Sequence, residues 1–158
     1  MVAGDPQRQH QGRVVTLRYE LSGSGPQTVV LIHELGGALD SFDECVGAFR
    51  EHFRVLRYDQ RGFGHSEKVR TPMHMDDMVN DLAALLDSLA IGGPVHVTGA
   101  GVGGGLSIAF AARRPERVAR RLIQGLAAQQ PVVFTQSFAA HLRHPYTPPP
   151  VVSAYVPR

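Results

Sequence analysis

The segment Pro94-Val-His-Val-Thr-Gly-Ala-Gly-Val-Gly-Gly104 decides the fold. Val95, Val97 and the β-branched Thr98 make a short strand, and the glycines that follow supply a sharp turn. Val102 to Arg114 then carries Leu106, Ala109 and Phe110 at helical spacing until Pro115 stops it. A strand that turns this abruptly into a helix has the layout of a nucleophile elbow, G-x-S-x-G, in which a reactive hydroxyl stands on the tip of the bend. Here the five positions are Gly99-Ala100-Gly101-Val102-Gly103, so the tip is Gly101 and brings no side chain.

Upstream, the same alternation of strand and helix repeats. Thr28 to His33 is a continuous apolar run, the pattern of a strand buried on both faces of a parallel sheet. Ser41-Phe-Asp-Glu44 has capping-box spacing, and Phe42, Cys45, Val46 and Phe49 after it share one helical face that ends near His52. Phe53 to Tyr58 reads as the next strand. Met75, Met78, Val79, Leu82, Leu85, Leu86 and Leu89 follow helical spacing, with Asp76 and Asp77 placed well against the N-terminal dipole. Arg13 to Leu21 alternates as an early strand before the Gly23-Ser-Gly-Pro26 turn, and Val118 to Ile123 starts one more strand. The fold class expected is α/β, a mostly parallel sheet with helices on both faces, cut short after about its sixth strand.

Past Gly125 the periodicity is lost. Gln129, Gln130, Pro131, Pro145 and the run Pro148-Pro-Pro150 give a Pro-rich segment, and no Asp or Glu follows Glu116 while Arg117, Arg120, Arg121, Arg143 and Arg158 do. The division expected is therefore a partial domain over residues 1–124 and a poorly ordered, basic tail over 125–158, at most partly helical around Phe134 to Leu142. The arginines are scattered and lack interleaved aromatics of the stacking kind, so nucleic acid is not the expected partner. The 158 residues carry a net charge of +2 and one cysteine, Cys45, which rules out an internal disulfide and leaves a structural zinc site without cysteine partners. Cys45 is expected to fill core space on its helix. No apolar run approaches the roughly 20 residues that cross a bilayer, and Met1 to Arg13 lacks an apolar stretch of signal-peptide type. A cytoplasmic location is the expectation; the sequence leaves oligomeric state open.

Three loops follow three strands in order: His33-Glu34-Leu35-Gly36-Gly37, then Asp59-Gln-Arg61-Gly62-Phe-Gly64-His65-Ser66, then the altered elbow. As an ordered set from Arg13 to Ile123 they resemble the N-terminal half of α/β-hydrolase-fold proteins. The run Phe53-Arg-Val-Leu-Arg-Tyr-Asp with its loop is most similar to 3-oxoadipate enol-lactonases and related hydrolases of small lactones or esters. The resemblance implies a covalent acyl-enzyme route on a small-molecule ester or lactone, with no metal and no cofactor. It places oxyanion-binding backbone N–H groups at Leu35 or its neighbour and at Val102. It also implies that His33 organises its loop and that the Asp59 loop shapes a turn near the site. Glu34 departs from the family pattern, where Gly is usual, and sets a carboxylate beside the oxyanion position.

The nucleophile of this fold is held at positive φ under strain of order 1–3 kcal/mol, which Gly101 relieves while removing the attacking oxygen. Ser107 lies too far along the helix to replace it. The family order is nucleophile, acid, His; downstream of Gly101 the one acid is Glu116, and the late histidines are His141 and His144. His33, His141 and His144 are thus the base candidates, none in a recognisable strand-end setting. Missing partners and tail composition together suggest a truncated or frame-shifted hydrolase. Two further readings stay open. Gly99, Gly101 and Gly104 satisfy G-x-G-x-x-G, and Gly99 to Gly105 fits the glycine run of NAD(P)-binding short-chain dehydrogenases, although no acid follows at ribose-binding distance. A non-catalytic binding protein on a hydrolase scaffold is the other.

Overall fold

The computed structural model describes residues 15–70, 72–124 and 153–156, with side chains described up to residue 119. Six strands form one sheet in the order β1-β3-β2-β4-β5-β6. They are β1 (Tyr19–Ser22), β2 (Thr28–Ile32), β3 (Arg54–Tyr58), β4 (Val95–Ala100), β5 (Val118–Gln124) and β6 (Ser153–Val156). The central four run parallel, while β1 pairs antiparallel with β3 and β6 antiparallel with β5. The α/β, mostly parallel architecture read from the sequence is the one observed.

Three helices cover the sheet: α1 (Asp43–Arg50), α2 (Met75–Ser88) and α3 (Val102–Arg113). Strand alternation sorts the apolar side chains to two faces. Val30, Ile32, Leu56 and Tyr58 pack with Val79, Leu82 and Leu86 of α2 and with Leu106 and Phe110 of α3. Val29, Leu31 and Val55 point the other way, toward Val46 of α1 and Phe53. Every residue of β2 is buried, as its unbroken apolar run requires of a strand covered on both faces.

Two element starts differ from the sequence reading. Residues 15–18 precede β1, which begins only at Tyr19, because their backbone is committed to the Asp59 loop. Thr16 N–H donates to Glu67 Oε2 at 3.1 Å, Arg18 N–H to Ser66 Oγ at 2.8 Å, and the N–H groups of Glu67 and Asp59 donate to the carbonyls of Thr16 and Arg18. Ser41 does not cap α1. A 3-10 turn over Leu39–Phe42 comes first, α1 begins at Asp43, and the Ser41 hydroxyl donates instead to Glu34 Oε1 at 3.1 Å. Cys45 lies half-buried on α1, where burial pushes its thiol pKa up.

Ser153–Val156, inside the segment expected to be loose, pairs with β5 in the register Gln124↔Ser153. Residues 125–152 lie outside the described residues, and so do His141, His144 and the helix expected around Phe134. No helix among the described residues is long and apolar enough to cross a membrane.

Candidate active site at the strand ends

The parallel strands bring three loops to one edge of the sheet. The chain moves outward from β2 to β3 on one side and from β4 to β5 on the other, so the crossover reverses between β2 and β4. The crevice at such a reversal, outside the carboxyl ends of the strands, is where open α/β sheets bind ligands. The His33 loop leaves β2 there and the Gly101 turn leaves β4.

Gly101 has φ 51° and ψ −118°, left of the region any L side chain adopts without strain, and it joins β4 directly to α3. The glycines on either side are demanded by packing. A Cβ on Gly99 would lie 2.3 Å from the Gly103 carbonyl, and one on Gly103 would lie 2.2 Å from the Ile32 carbonyl oxygen of β2. The start of α3 therefore rests directly on the backbone of β2 and β4. Among the described residues beyond its chain neighbours, a Cβ on Gly101 meets only Glu34, at 3.4 Å from its Cβ and 3.9 Å from its Cα. The turn retains the shape and the room for a projecting side chain. The first N–H groups of α3, beginning at Val102, have no carbonyl partner within the helix and carry the positive end of its dipole.

On the facing loop, Gly37 N–H donates to the Glu34 carbonyl at 3.1 Å, closing a turn whose third residue, Gly36, sits at φ 80°. Leu35 occupies the tip of this turn and is 70% exposed. Glu34, beneath it, is half-buried.

His33 is fully buried and both of its ring nitrogens are engaged. Nε2 accepts from Gln60 N–H at 3.0 Å, which puts the proton on Nδ1, and Nδ1 lies 2.7 Å from the Glu34 carbonyl oxygen. The Gln60 side chain donates to the His33 carbonyl at 2.7 Å, and Phe63 stacks edge-on against the ring. The imidazole thus ties the loop after β2 to the loop after β3. It has no lone pair left to take a proton from a substrate.

The Asp59 loop is equally committed. The Asp59 carboxylate is buried and accepts from Leu39 N–H and His65 N–H, each at 2.7 Å, and from Arg18 at 3.4 Å. Burial pushes its pKa up, but the two backbone donors and Arg18 outweigh it, and the carboxyl is held below its ordinary range. Ser66 Oγ donates to the Asp59 carbonyl at 2.6 Å. Arg61 makes a two-pronged pair with Asp81 of α2, Nε to Oδ2 at 2.5 Å and Nη2 to Oδ1 at 2.6 Å. Asp81 was not singled out from the sequence, yet a signal was there: it falls three residues after Met78 and four before Leu85, so an acid sits on an apolar stripe and needs a buried cation.

Ser107 is fully buried and donates to the Gly103 carbonyl at 2.9 Å, one turn back along α3. Glu116 lies exposed on the 3-10 turn Pro115–Arg117. Among the described residues no group of three His, Cys, Asp or Glu side chains could hold a metal ion.

Comparison with known proteins agrees with this geometry. Residues 27–139 match the alpha/beta hydrolase fold family. The chain belongs to that family. It is 35% identical over 119 residues to the 2-hydroxy-6-oxononadienedioate/2-hydroxy-6-oxononatrienedioate hydrolase of Burkholderia vietnamiensis, covering 72% of this chain and 41% of that one. It is 33% identical over 114 residues to the dihydrolipoyllysine-residue acetyltransferase component of the acetoin cleaving system of Pseudomonas putida, covering 72% and 30%. Among solved structures, the enol-lactonase from Burkholderia xenovorans LB400 superposes with a TM-score of 0.65 at 35% identity, covering 68% of this chain and 42% of that one. The chain thus spans less than half the length of each of these relatives. In the glycine run from Gly99 to Gly105, Gly99 and Gly103 are the positions packed against backbone and Gly101 is the one at positive φ on the turn.

Proposed function

We propose that this alpha/beta hydrolase fold chain is a homologue of hydrolases of small esters or enol-lactones that has lost serine-type turnover. The observation that carries the reading is Gly101 at φ 51° on the β4–α3 turn, a positive-φ geometry kept at a position without an attacking atom. An acid and an imidazole could come from elsewhere in a polypeptide, since they act through space on the nucleophile. The nucleophile itself belongs to the elbow. Deleting it alone costs about 10⁶ in turnover in well-studied serine hydrolases. Ser107, Ser66 and Ser41 offer no substitute, as the hydroxyls of all three are bonded elsewhere. The Leu35 and Val102 amides are the oxyanion donors in this reading, and binding of a ligand without a covalent acyl-enzyme is the use it leaves to the crevice.

The test is to mix the folded chain with p-nitrophenyl acetate while following the burst of p-nitrophenolate and the intact mass. The expected result is no stoichiometric burst and no acetyl adduct on a Ser, Thr or Cys side chain. A burst with an adduct on such a side chain that is then hydrolysed overturns the reading. Gly101→Ser, run beside it, is expected to give no gain unless His141 or His144 reaches the new hydroxyl.

A further inference from the structure

We propose that Glu34 acts as a general base on water at the bare elbow, giving the chain a slow hydrolysis of small activated esters or lactones that forms no acyl-enzyme. The proposal rests on the reading above, because it requires that no nucleophile stand at residue 101. Glu34 is the residue against the tip. Its Cβ and Cα lie 3.4 and 3.9 Å from where a Cβ on Gly101 would be, and apart from residues adjoining Gly101 no other described residue comes within 4 Å of that point; the carboxylate stands farther off, on the side of Gly37 and Ser41, so it acts on the tip through an intervening water. Ser41 Oγ donates to Oε1 at 3.1 Å and fixes one oxygen of the carboxylate, while Oε2 takes no hydrogen bond from any described residue. The neighbouring base by sequence, His33, is excluded by its two occupied ring nitrogens.

Charge bookkeeping separates this role from the serine route. In the serine route the proton goes to an imidazole and Glu34 keeps its charge, so the tetrahedral oxyanion forms near a carboxylate that repels it. When Glu34 itself takes the proton, its negative charge disappears as the oxyanion's appears. The site carries one negative charge before and after, merely shifted toward the N–H groups of Leu35 and Val102. A carboxylate that opposes one mechanism is thereby suited to the other. The step balances without a co-reactant: Glu34 removes a proton from water, the hydroxide oxygen bonds to the carbonyl carbon, and the tetrahedral centre collapses by breaking its bond to the leaving oxygen. The protonated Glu34 returns its proton to that oxygen, releasing the alcohol and the acid.

The experiment measures steady-state p-nitrophenyl acetate hydrolysis by the full chain, by Glu34→Gln and by Glu34→Asp, each checked for folding by circular dichroism and each followed by intact mass. The expected wild-type rate exceeds that of Glu34→Gln by about 10²-fold, the lower end of the range for a positioned base. Glu34→Asp, which keeps the charge and retracts it by one methylene, is expected to lose about tenfold or more. A solvent deuterium isotope effect present in the wild type should vanish in Glu34→Gln. Equal rates for wild type and Glu34→Gln, or a wild-type rate no higher than buffer, overturn the proposal and leave the loss of serine chemistry standing. An acetyl burst with an adduct on a Ser, Thr or Cys side chain overturns that loss instead.

Discussion

The Asp59 loop and the Gly101 turn lie at the same edge of one sheet and invert each other. The loop gathers Asp59, Arg61, His65 and Ser66 within eight residues, the composition of a reactive centre, and commits its acid, cation and hydroxyl to internal bonds. The turn is nearly bare of functional side chains, yet its backbone at φ 51° adopts a positive-φ shape that would strain any residue but glycine. Chemically rich residues here hold the scaffold, whereas the position made for chemistry is marked by backbone geometry and by what its neighbours leave open. Substitutions on the two sides should therefore separate stability from activity.

The largest effect is expected in the loop's ion pair. Asp81→Ala leaves the Arg61 guanidinium, whose side chain is 10% exposed, with Asp77 at 3.8 Å and the charge of Glu67 to compensate it. Breaking a buried pair from one side costs about 3–5 kcal/mol, read as a lowered urea midpoint. An unchanged midpoint would show that the loop is not held as described. Next comes Gly103→Ala, in the packing shell of the turn. Its Cβ would stand 2.2 Å from backbone oxygen of β2, and backbone cannot rotate aside as a side chain can. A loss of about 3 kcal/mol is expected, at the upper end of ordinary overpacking.

Asp59→Asn should cost about 2 kcal/mol, because an amide presents a donor to one of the two N–H groups the carboxylate accepts from. The same site sets a pH dependence whose sign follows from its depressed pKa. The unfolded chain takes up the proton at the ordinary carboxylate value, the folded one only at lower pH. The stabilisation from Asp59 is complete above the ordinary value and is lost as pH falls toward and through the folded value. Acid unfolding of Asp59→Asn should accordingly be shallower than that of the wild type.

These two regions also account for what the sequence disclosed. Strand and helix periods placed β2, α2, β4 and α3 because each is buried along a continuous face, and burial is what hydrophobic patterning records. The elbow was legible since its flanking glycines are forced by contacts within ten residues, apart from the approach of Gly103 to β2. The rest depends on long-range hydrogen bonds that leave no periodic trace. Residues 15–18 alternate like a strand but bond to residues 59–67, and Ser41 has a cap's spacing but serves Glu34. Glu34 was recognisable as a misfit beside the oxyanion turn. Its contact with the Gly101 position and its tether to Ser41 required coordinates.

The smallest stability change belongs to the residue with the greatest chemical consequence. Gly101→Ser places a side chain where φ is positive, a strain of order 1–3 kcal/mol, but its Cβ meets Glu34 at 3.4 Å, an ordinary contact. Backbone strain is then the whole cost, about 1–2 kcal/mol, with no clash added to it, and the variant should fold. If this turn is an elbow held open by its surroundings, that variant tolerates the serine as Gly103→Ala cannot tolerate a methyl, although both substitutions add a Cβ within three residues of one another. Urea titration of the two side by side is the measurement. Equal destabilisation would mean that the space at residue 101 is no more than slack in a glycine-rich turn, and the distinction between scaffold and reactive position would fail at its centre.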